Sequence, residues 1–429
     1  AISLMDMPAS CFFKIEMICV SVNRTFFIID PFKLEIFSNT GWATFGEPYS
    51  SAEASNHTVY NGWSIWDNYK TQLPLLSIAY PKQYQDIVSS IVNLYNYGKK
   101  DWATLTEPSN TVRTEHAVVV LLDAYRKGYK IDFSPIIDSL IKESEHLDFS
   151  HPDKAMESSY DLWALSEILT ILHKESLATM YRQKVLQYQK VWTQNFRDIS
   201  KPDVDDYGAR GMYQGTVWQY RWFVPFDQKG IVELCGGDSA YIAQLDQFFG
   251  NDFYNAANEP DIQAPYLYNF SSQPWKSQEM IHRYAKDTVV QYYTDINYRG
   301  VNPQIGRIYN NRPDAFLQSM DDDAGAMSSW YVLAACGLSP ACVGEPVYYL
   351  SVPLFEHVAF NKTFVITVKN FKPANKYIQS VSLNGRNLDK NWITQDEIMK
   401  GGRLVITASD KPNKAFGIRN QWMTTLIEN

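Results

Sequence analysis

Three consecutive carboxylates, Asp321, Asp322 and Asp323, are the densest group of reactive side chains in this sequence. They stand directly before an apolar run that favours a helix and ends at Cys336. A helix N-terminus attracts negative charge through its free N–H groups and its dipole, so a solvated acidic cap is one interpretation. The aromatic residues that follow, among them Trp330, indicate instead acids held against an apolar wall. Carboxylates in that setting suit general-base catalysis or metal binding.

Aromatic residues beside polar groups form a second set of candidates. Trp66 and Asp67 lie in a Trp-x-x-Trp-Asp-x-Tyr segment, where the acid can bond sugar hydroxyls while the rings stack on the sugar. A capping or salt-bridged Asp67 is the structural alternative. Trp102 is either a pocket wall or a core anchor. Glu115 and His116 precede an apolar run, where a lone histidine is more often structural.

A stretch rich in oxygen-bearing side chains spans residues 258–276 and contains Glu259, Gln263, Trp275 and Lys276. Carboxylate, amide and carbonyl oxygens suit calcium, although the spacing is not that of an EF-hand. The segment that begins at Gln214 is aromatic and nearly uncharged, and by itself it predicts core.

The composition predicts a large folded protein that binds neither nucleic acid nor a bilayer interior. Of 429 residues, 45% are hydrophobic, and 12 Trp, 28 Tyr and 22 Phe are enough for one large domain and a smaller one. Aromatic faces also stack on sugar rings. A net charge of −8 argues against nucleic acid as a partner. No stretch is long and apolar enough to span a membrane.

The cysteines and the sequons bear on the compartment. The five cysteines show no metal-ligand spacing. Cys336 and Cys342 could form a local disulfide, but a small buried hydrophobe is the favoured role for Cys336. Four Asn-X-Ser/Thr sequons are compatible with a secreted protein or one of the secretory pathway. They lie at Asn23, Asn56, Asn269 and Asn361.

Apolar residues at helical spacing fill the chain from residue 60 to residue 336. The predicted helices span 63–76, 81–97, 111–127, 156–172, 175–195, 216–224, 230–235, 239–249, 273–293 and 324–336, with one more that starts near residue 133. For that one, Ser134 is the predicted N-cap. A run of helix pairs without alternating strands predicts an α/α toroid. A superhelix of repeats is the competitor, but the sequence has no fixed-period repeat.

After residue 340 the pattern changes to period-two alternation rich in β-branched residues. Asn384-Gly385 is a strong hairpin signal between two such runs. The predicted architecture is therefore mainly α, with a helical catalytic domain over 46–345 and a small β-sheet module over 346–429. Residues 1–45 remain unassigned.

Seven segments, taken together, resemble glycoside hydrolase family 92, the calcium-dependent, inverting exo-α-mannosidases. They occur in the family's order within about residues 57–390, at 63–69, 115–116, 156–161, 215–227, 258–276, 321–331 and 377–385. The resemblance implies an (α/α)6 barrel followed by strands, which agrees with the helix-then-strand pattern. It also implies an N-terminal β-sandwich that closes the active site. Residues 1–45 match nothing in that domain, so it is expected to be missing.

The resemblance also implies catalytic roles. Asp321 and Asp323 fall on the family's catalytic aspartates, which act as general base and activate water for attack with inversion. Two carboxylates that flank a water fit the wider spacing of inverting enzymes. Trp66 and Asp67 fall on the floor of the mannose site.

Further residues fall where the family gathers its ligands. Glu259, Gln263 and Asp323 are the expected calcium ligands, and Glu259 is also an expected substrate ligand. The calcium contacts two neighbouring mannose hydroxyls and helps to distort the ring. The other expected substrate-binding residues are Trp102, Glu115, His116, Trp275 and Lys276.

Gln214 departs from the family pattern, because the general acid there is a Glu. An amide cannot give a proton to a leaving alkoxide, and general-acid help is typically worth about 10²–10⁴-fold. A phosphate leaves without a proton, and an amide N–H attracts it where a carboxylate repels it. The sequence thus looks like the family branch that hydrolyses mannose-α-1-phospho-6-mannose on N-glycans. Arg113, Arg210 and Arg221 are candidates to hold the phosphate.

Two other functions stay open at this point. One is an ordinary exo-α-mannosidase, of the α-1,2 type, that carries a Glu-to-Gln change. The other is a catalytically inactive protein that kept the mannose pocket and binds mannose. Either way the expected partner is a mannose-containing glycan or a mannosyl phosphate.

Overall fold

The computed structural model describes residues 18–20, 25–30 and 33–38 as backbone, and then 58, 60, 64–96, 115–292, 303–311, 316–317, 320 and 322–427. Two predicted site residues, Asp321 and Trp102, lie outside the described residues. The same holds for Arg113, one of the three arginines proposed to hold a phosphate.

Helices form most of the chain between residues 64 and 336. They are α1 Ile65–Asn68, α2 Gln72–Ala79, α3 Pro81–Asn96, α4 Ala117–Arg126, α5 Ile137–Ser144, α6 Pro152–Ile171, α7 Glu175–Val185, α8 Tyr188–Asn195, α9 Val217–Tyr220, α10 Gln228–Leu234, α11 Asp238–Gly250, α12 Trp275–Lys286 and α13 Ala326–Cys336. Helices α2 and α3 contact each other, as do α3 and α4, α4 and α6, and α6 and α7. This succession of packed neighbours is consistent with the predicted toroid.

The strands are β1 Ile18–Val20, β2 Thr25–Asp30, β3 Lys33–Ser38, β4 Thr288–Gln291, β5 Gln304–Arg307, β6 Leu338–Pro340, β7 Val347–Leu350, β8 His357–Phe360, β9 Phe364–Lys369, β10 Tyr377–Leu383, β11 Arg386–Leu388, β12 Trp392–Thr394 and β13 Gly402–Ser409. A short helix, α14 Gln395–Met399, lies between the last two. Strands β1, β2 and β3 form an antiparallel sheet within the segment that sequence analysis left unassigned.

The sheet module after α13 is confirmed. Its larger sheet has the order β11-β10-β13-β9-β8, with β13 parallel to β9, and its smaller sheet has the order β12-β7-β6. The hairpin at Asn384-Gly385 is confirmed, since Leu383 pairs with Arg386 and both turn residues have left-handed φ angles of 50° and 81°. That double left-handed turn matches the twist of the strands, which is why Asn-Gly predicts it.

Helix α13 lies between the two cores of the molecule. Trp330 and Ala334 belong to the helical core, whereas Leu333 and Ala335 pack with the sheet module. A helix buried on both sides needs no polar face toward solvent, and this explains why its residues are apolar apart from Ser328 and Ser329. The acidic residues before it are thus attached to a rigid element.

Several predicted element bounds were wrong. The helix predicted over 63–76 is two helices, α1 and α2, separated by a turn. The helix predicted to reach residue 293 ends at Lys286, because the β-branched residues that follow form β4. Ser134 is not an N-cap, since α5 begins only after Ile136.

Three of the cysteines are buried and free, namely Cys235, Cys336 and Cys342. The role of buried hydrophobe predicted for Cys336 is confirmed, and the local disulfide is absent. Within the described part of the chain, no helix is long and apolar enough to cross a membrane. The sequon asparagine Asn269 is buried and accepts a hydrogen bond from Asn391 at 2.8 Å, so the folded chain does not present it for glycosylation.

Candidate active site

The acidic loop divides its carboxylates between two tasks. Asp322 is buried and accepts hydrogen bonds from the backbone N–H of Ser328 at 2.7 Å and from its hydroxyl at 2.9 Å. It therefore caps the first turn of α13, as the acidic-cap interpretation predicts. Asp323 does not share this task, and it is half-buried beside Glu259.

The backbone turns sharply between these acids and α13. Asp323, Ala324 and Gly325 have successive positive φ angles of 40°, 54° and 87°. Gly325 also has no room for a side chain, because a Cβ would lie 2.2 Å from Nε2 of Gln72. Left-handed conformation costs a non-glycine residue on the order of 1 kcal/mol or more, and such strain is concentrated at functional sites. It lets Asp322 face α13 while Asp323 faces the neighbouring loop.

Glu259 is the buried acid opposite Asp323. Burial raises the pKa of Glu259 to about 7, the hydrogen bond with Asp323 opposes that rise, and the nearby charge of Asp67 adds to it. Its Oε1 has no hydrogen-bond partner among the described residues. Three acids predicted separately from the sequence, Asp67, Glu259 and Asp323, therefore lie together.

Lys70 is the positive charge of this cluster. Its ammonium donates to the backbone carbonyl of Glu259 and to Oε1 of Gln263, the latter at 3.3 Å. It also lies 4.6 Å from the ring centre of Phe223. Burial lowers the pKa of Lys70 to about 8, against the opposing pull of Glu259. Sequence analysis missed this residue, although its position one turn after Asp67 was a signal.

The predicted calcium ligands are oxygen donors, the type that a hard cation prefers, and two of them are in hydrogen-bond contact. Asp323 and Glu259 share a hydrogen bond, which requires a proton between two acids, and a cation removes that requirement. The unpartnered Oε1 of Glu259 and the Oε1 of Gln263 add further oxygens. Lys70 already bonds two oxygens of this set, so its charge opposes a metal there. Among the described residues, no three His, Cys, Asp or Glu side chains converge closely enough to hold a metal by themselves.

Glu157 joins the sugar-site tryptophan to the Gln214 segment. Its Oε1 accepts from the indole N–H of Trp66 at 2.8 Å and from the hydroxyl of Tyr220 at 3.0 Å. Glu157 itself projects from α6, the longest helix described. Sequence analysis noted the segment around Glu157 but assigned it no role.

The loop that carries Gln214 is fixed at both ends. On one side, the backbone N–H of Tyr213 donates to Asp153 at 2.7 Å. On the other, Thr216 caps α9 through a capping box with Gln219, which anchors the chain that enters that helix. Gly215 has a φ of 74°, and a Cβ there would lie 3.3 Å from the Tyr220 ring. Gln214 therefore lies in a loop that is anchored on both sides, and its side chain is partly exposed.

Of the four other predicted substrate-binding residues that are described, Glu115 contacts a neighbour of this cluster and His116 does not. Glu115 reaches it through Lys154, whose ammonium lies 3.8 Å from Glu115 and 3.5 Å from Glu157. His116 does not face open space, because it is buried and bonds Asp161 through Nδ1 at 2.8 Å. The structural alternative weighed for His116 is therefore the better description.

Trp275 and Lys276 are not brought to the cluster. Trp275 packs against Tyr377 of the sheet module at 6.2 Å between ring centres. Lys276 bonds Asp246 at 2.7 Å. Their contacts support a structural role at the start of α12, in place of the predicted substrate binding.

Comparisons with known proteins bear on the family and the fold of the chain. A protein-family model described as "Glycosyl hydrolase family 92 catalytic domain" matches residues 34–410. That match begins inside the segment that sequence analysis had left outside the family. A curated relative, an "Uncharacterized secreted glycosidase" of Arthroderma benhamiae, is 30% identical over 202 residues, which are 46% of this chain and 23% of that protein.

Solved structures share the fold. A GH92 family glycosyl hydrolase has a TM-score of 0.74 at 23% identity, over 85% of this chain and 56% of its own. The family GH92 inverting mannosidase of Bacteroides thetaiotaomicron has a TM-score of 0.71 at 20% identity, over 96% of this chain and 60% of its own. A family GH92 α-mannosidase of the same bacterium has a TM-score of 0.66 at 24% identity, over 83% and 51%. The chain thus spans about half to three fifths of these solved chains, and less of the curated relative.

Proposed function

Because the chain belongs to glycosyl hydrolase family 92, we propose that it is a glycosidase that removes terminal α-linked mannose with inversion, from mannose-1-phospho-6-mannose caps on N-glycans. One observation carries the choice of substrate. Gln214, at the position of the general acid, lies between Tyr213, whose backbone N–H is held by Asp153, and the capped start of α9, and it offers an amide in place of a carboxylic acid. A substrate that needs no proton on its leaving group fits this site.

The reaction then needs a general base but no general acid. Asp321 and Asp323 act as general base and take a proton from the water that attacks the anomeric carbon. The bond from that carbon to the phosphate oxygen breaks, and mannose 6-phosphate leaves with the electron pair as an anion. No group has to protonate the leaving phosphate, so an amide at position 214 does not slow the reaction with this substrate. The Gln214 N–H can donate a hydrogen bond to the departing phosphate instead.

Calcium is part of the proposal. Glu259, Gln263 and Asp323 would hold the ion, which supplies electrostatic attraction for neighbouring sugar hydroxyls when it is bound. The chain's own contribution is to bring these oxygens together on the 259–263 loop and the acidic loop. Trp66, held by Glu157, provides an aromatic face for the sugar.

A secreted location is proposed with the function. The N-glycan substrate is found there, and the curated relative is named as a secreted glycosidase. The sequons at Asn23, Asn56 and Asn361 are compatible with this location.

The test is a comparison of two substrates with the wild-type protein in the presence of calcium. Mannose release is measured from the 6-mannosyl diester of α-mannose 1-phosphate and from α-1,2-mannobiose. Release from the phosphodiester, with little from the disaccharide, is the expected result. Cleavage of the disaccharide at a comparable rate would identify an ordinary α-mannosidase. Calorimetric binding of mannose without hydrolysis of either substrate would identify an inactive mannose-binding protein.

A further inference from the structure

The proposed substrate carries a phosphate next to the bond that breaks, so the site needs a cation near Gln214. Two of the arginines suggested by the sequence already bind other side chains. Arg210 forms a bidentate pair with Asp203 at 2.7 and 2.8 Å. Arg221 is fully buried among Trp192, Trp218 and Trp222, with its guanidinium 4.5–5.5 Å from their ring centres.

Lys154 has the position that these arginines lack. It lies on α6 between Asp153, which holds the backbone of Tyr213, and Glu157, which holds Trp66 and Tyr220. Its ammonium is 5.8 Å from the ring centre of Tyr213, the residue before Gln214. One face of α6 therefore presents a lysine at the junction between the sugar-site tryptophan and the leaving-group loop.

Lys154 forms two ion pairs, and both are long. Its two acidic neighbours lie at 3.5 Å (Glu157) and 3.8 Å (Glu115), which is longer than the 2.7–2.9 Å of a strong charge-assisted bond. Glu157 divides its charge among several donors. Glu115 is on the exposed side, with 38% of its side chain accessible. A phosphate can replace the weak contact with Glu115 by a direct ammonium–phosphate bond.

We propose that Lys154 binds the phosphate of the leaving group and so determines the preference for mannosyl phosphates. This inference rests on the proposed function. The lysine acts as a point charge that attracts the substrate and stabilises the departing anion. Glu115 then opposes phosphate binding, so removal of the Glu115 charge favours phosphate binding.

The test compares Lys154→Gln and Lys154→Arg with the wild type on two mannosides whose leaving groups need no protonation. One is the mannosyl phosphodiester, and the other is the uncharged 4-nitrophenyl α-mannoside. Lys154→Gln is expected to lower kcat/KM for the phosphodiester by about 10- to 100-fold, largely through KM. The nitrophenyl substrate should change less than about threefold, and Lys154→Arg should restore most of the phosphodiester activity.

The possible failures are distinguishable. An equal loss on both substrates would show a structural role for Lys154 and overturn the inference, as would an unchanged KM for the phosphodiester. Glu115→Gln, on an exposed side chain, gives an independent check if Lys154→Gln does not fold. It should lower the phosphodiester KM by about two- to threefold, and a rise would count against the assignment. A wild-type protein that hydrolyses only the uncharged mannosides would overturn the proposed function itself.

Discussion

The active-site cluster and the contact between α12 and the sheet module bury different kinds of polar group: several acids and a lysine at the cluster, a histidine and an amide at the module contact. At the cluster, Glu259 is buried with one carboxylate oxygen that has no partner in the described structure. At the module contact, His282 bonds the carbonyl of Val352 at 2.7 Å through Nε2, while its Nδ1 has no partner among the described residues, and Gln278 accepts from the N–H of Ile378 at 2.8 Å. Several buried acids close together lower stability, so such a cluster is retained where chemistry needs it. The cluster should therefore govern rate and the module contact should govern stability.

The largest effect is expected within the acidic loop itself. Asp323→Asn should lower kcat by about 10²–10⁴-fold, because it removes a base. It should cost less thermal stability than Asp322→Asn, because an amide can still form the hydrogen bond with Glu259. Asp322→Asn is the matched control and should lower the free energy of unfolding by about 1–2 kcal/mol, since it weakens the cap on α13. Steady-state kinetics and thermal unfolding on both variants check this division. A loss of thermal stability in Asp323→Asn but not in Asp322→Asn would contradict these two roles.

The module contact should respond to pH through stability. Burial lowers the pKa of His282 to about 3, while an unfolded histidine titrates near 6.5. The unfolded state binds the extra proton between these values, so stability is full above pH 6.5 and falls as the solution becomes more acidic. From pH 7 to pH 5 the loss due to His282 is about 2 kcal/mol. Urea unfolding at several pH values should show a flatter acid limb for His282→Gln, and an unchanged slope would contradict the assignment.

Substitution of Lys70 tests whether the cluster binds a metal. Because its ammonium bonds two oxygens of the proposed calcium set, removal of its charge should tighten calcium binding by about tenfold or more. Calorimetric titration of calcium into wild type, Lys70→Met and Lys70→Arg measures this directly. The arginine variant should bind about as weakly as the wild type. Weaker binding by Lys70→Met would place the ion elsewhere.

The smallest effect is expected at Lys276. Its ion pair with Asp246 lies partly in solvent, with 47% of the Asp246 side chain exposed, and such pairs contribute about 0–1 kcal/mol. Lys276→Gln should change kcat/KM less than about twofold on any mannoside. A tenfold rise in KM would return Lys276 to the substrate site, where the sequence had placed it.

Local periodicity was enough to predict most of the helices and the C-terminal strands, but it missed strands β1 to β5. The helices before residue 336 and the strands after it were predicted, as was the hairpin at Asn384-Gly385, because each depends on residues close in sequence. Element ends were less predictable. The break between α1 and α2 was not predicted, and the early end of α12 was missed although the β-branched residues of β4 follow it directly.

The site shows the same limit. The acids at 67, 259 and 323 were found because their residue types and neighbours are unusual, and the structure brings them together. The roles of Lys70, Asp153 and Glu157 were not predicted, since each acts on a residue at least 60 positions away. Trp275 and Lys276 were assigned by nearness in sequence to the oxygen-rich loop, but α12 directs them to other partners.

The central claim is that Gln214 selects a leaving group that needs no proton. The most direct measurement is mannose release from the mannosyl phosphodiester and from α-1,2-mannobiose by Gln214→Glu beside the wild type, with calcium present. The variant is expected to hydrolyse the disaccharide about 10²–10⁴-fold faster than the wild type and to lose activity on the phosphodiester through charge repulsion. A wild type that already cleaves the disaccharide, or a variant that gains none of this activity, would contradict it.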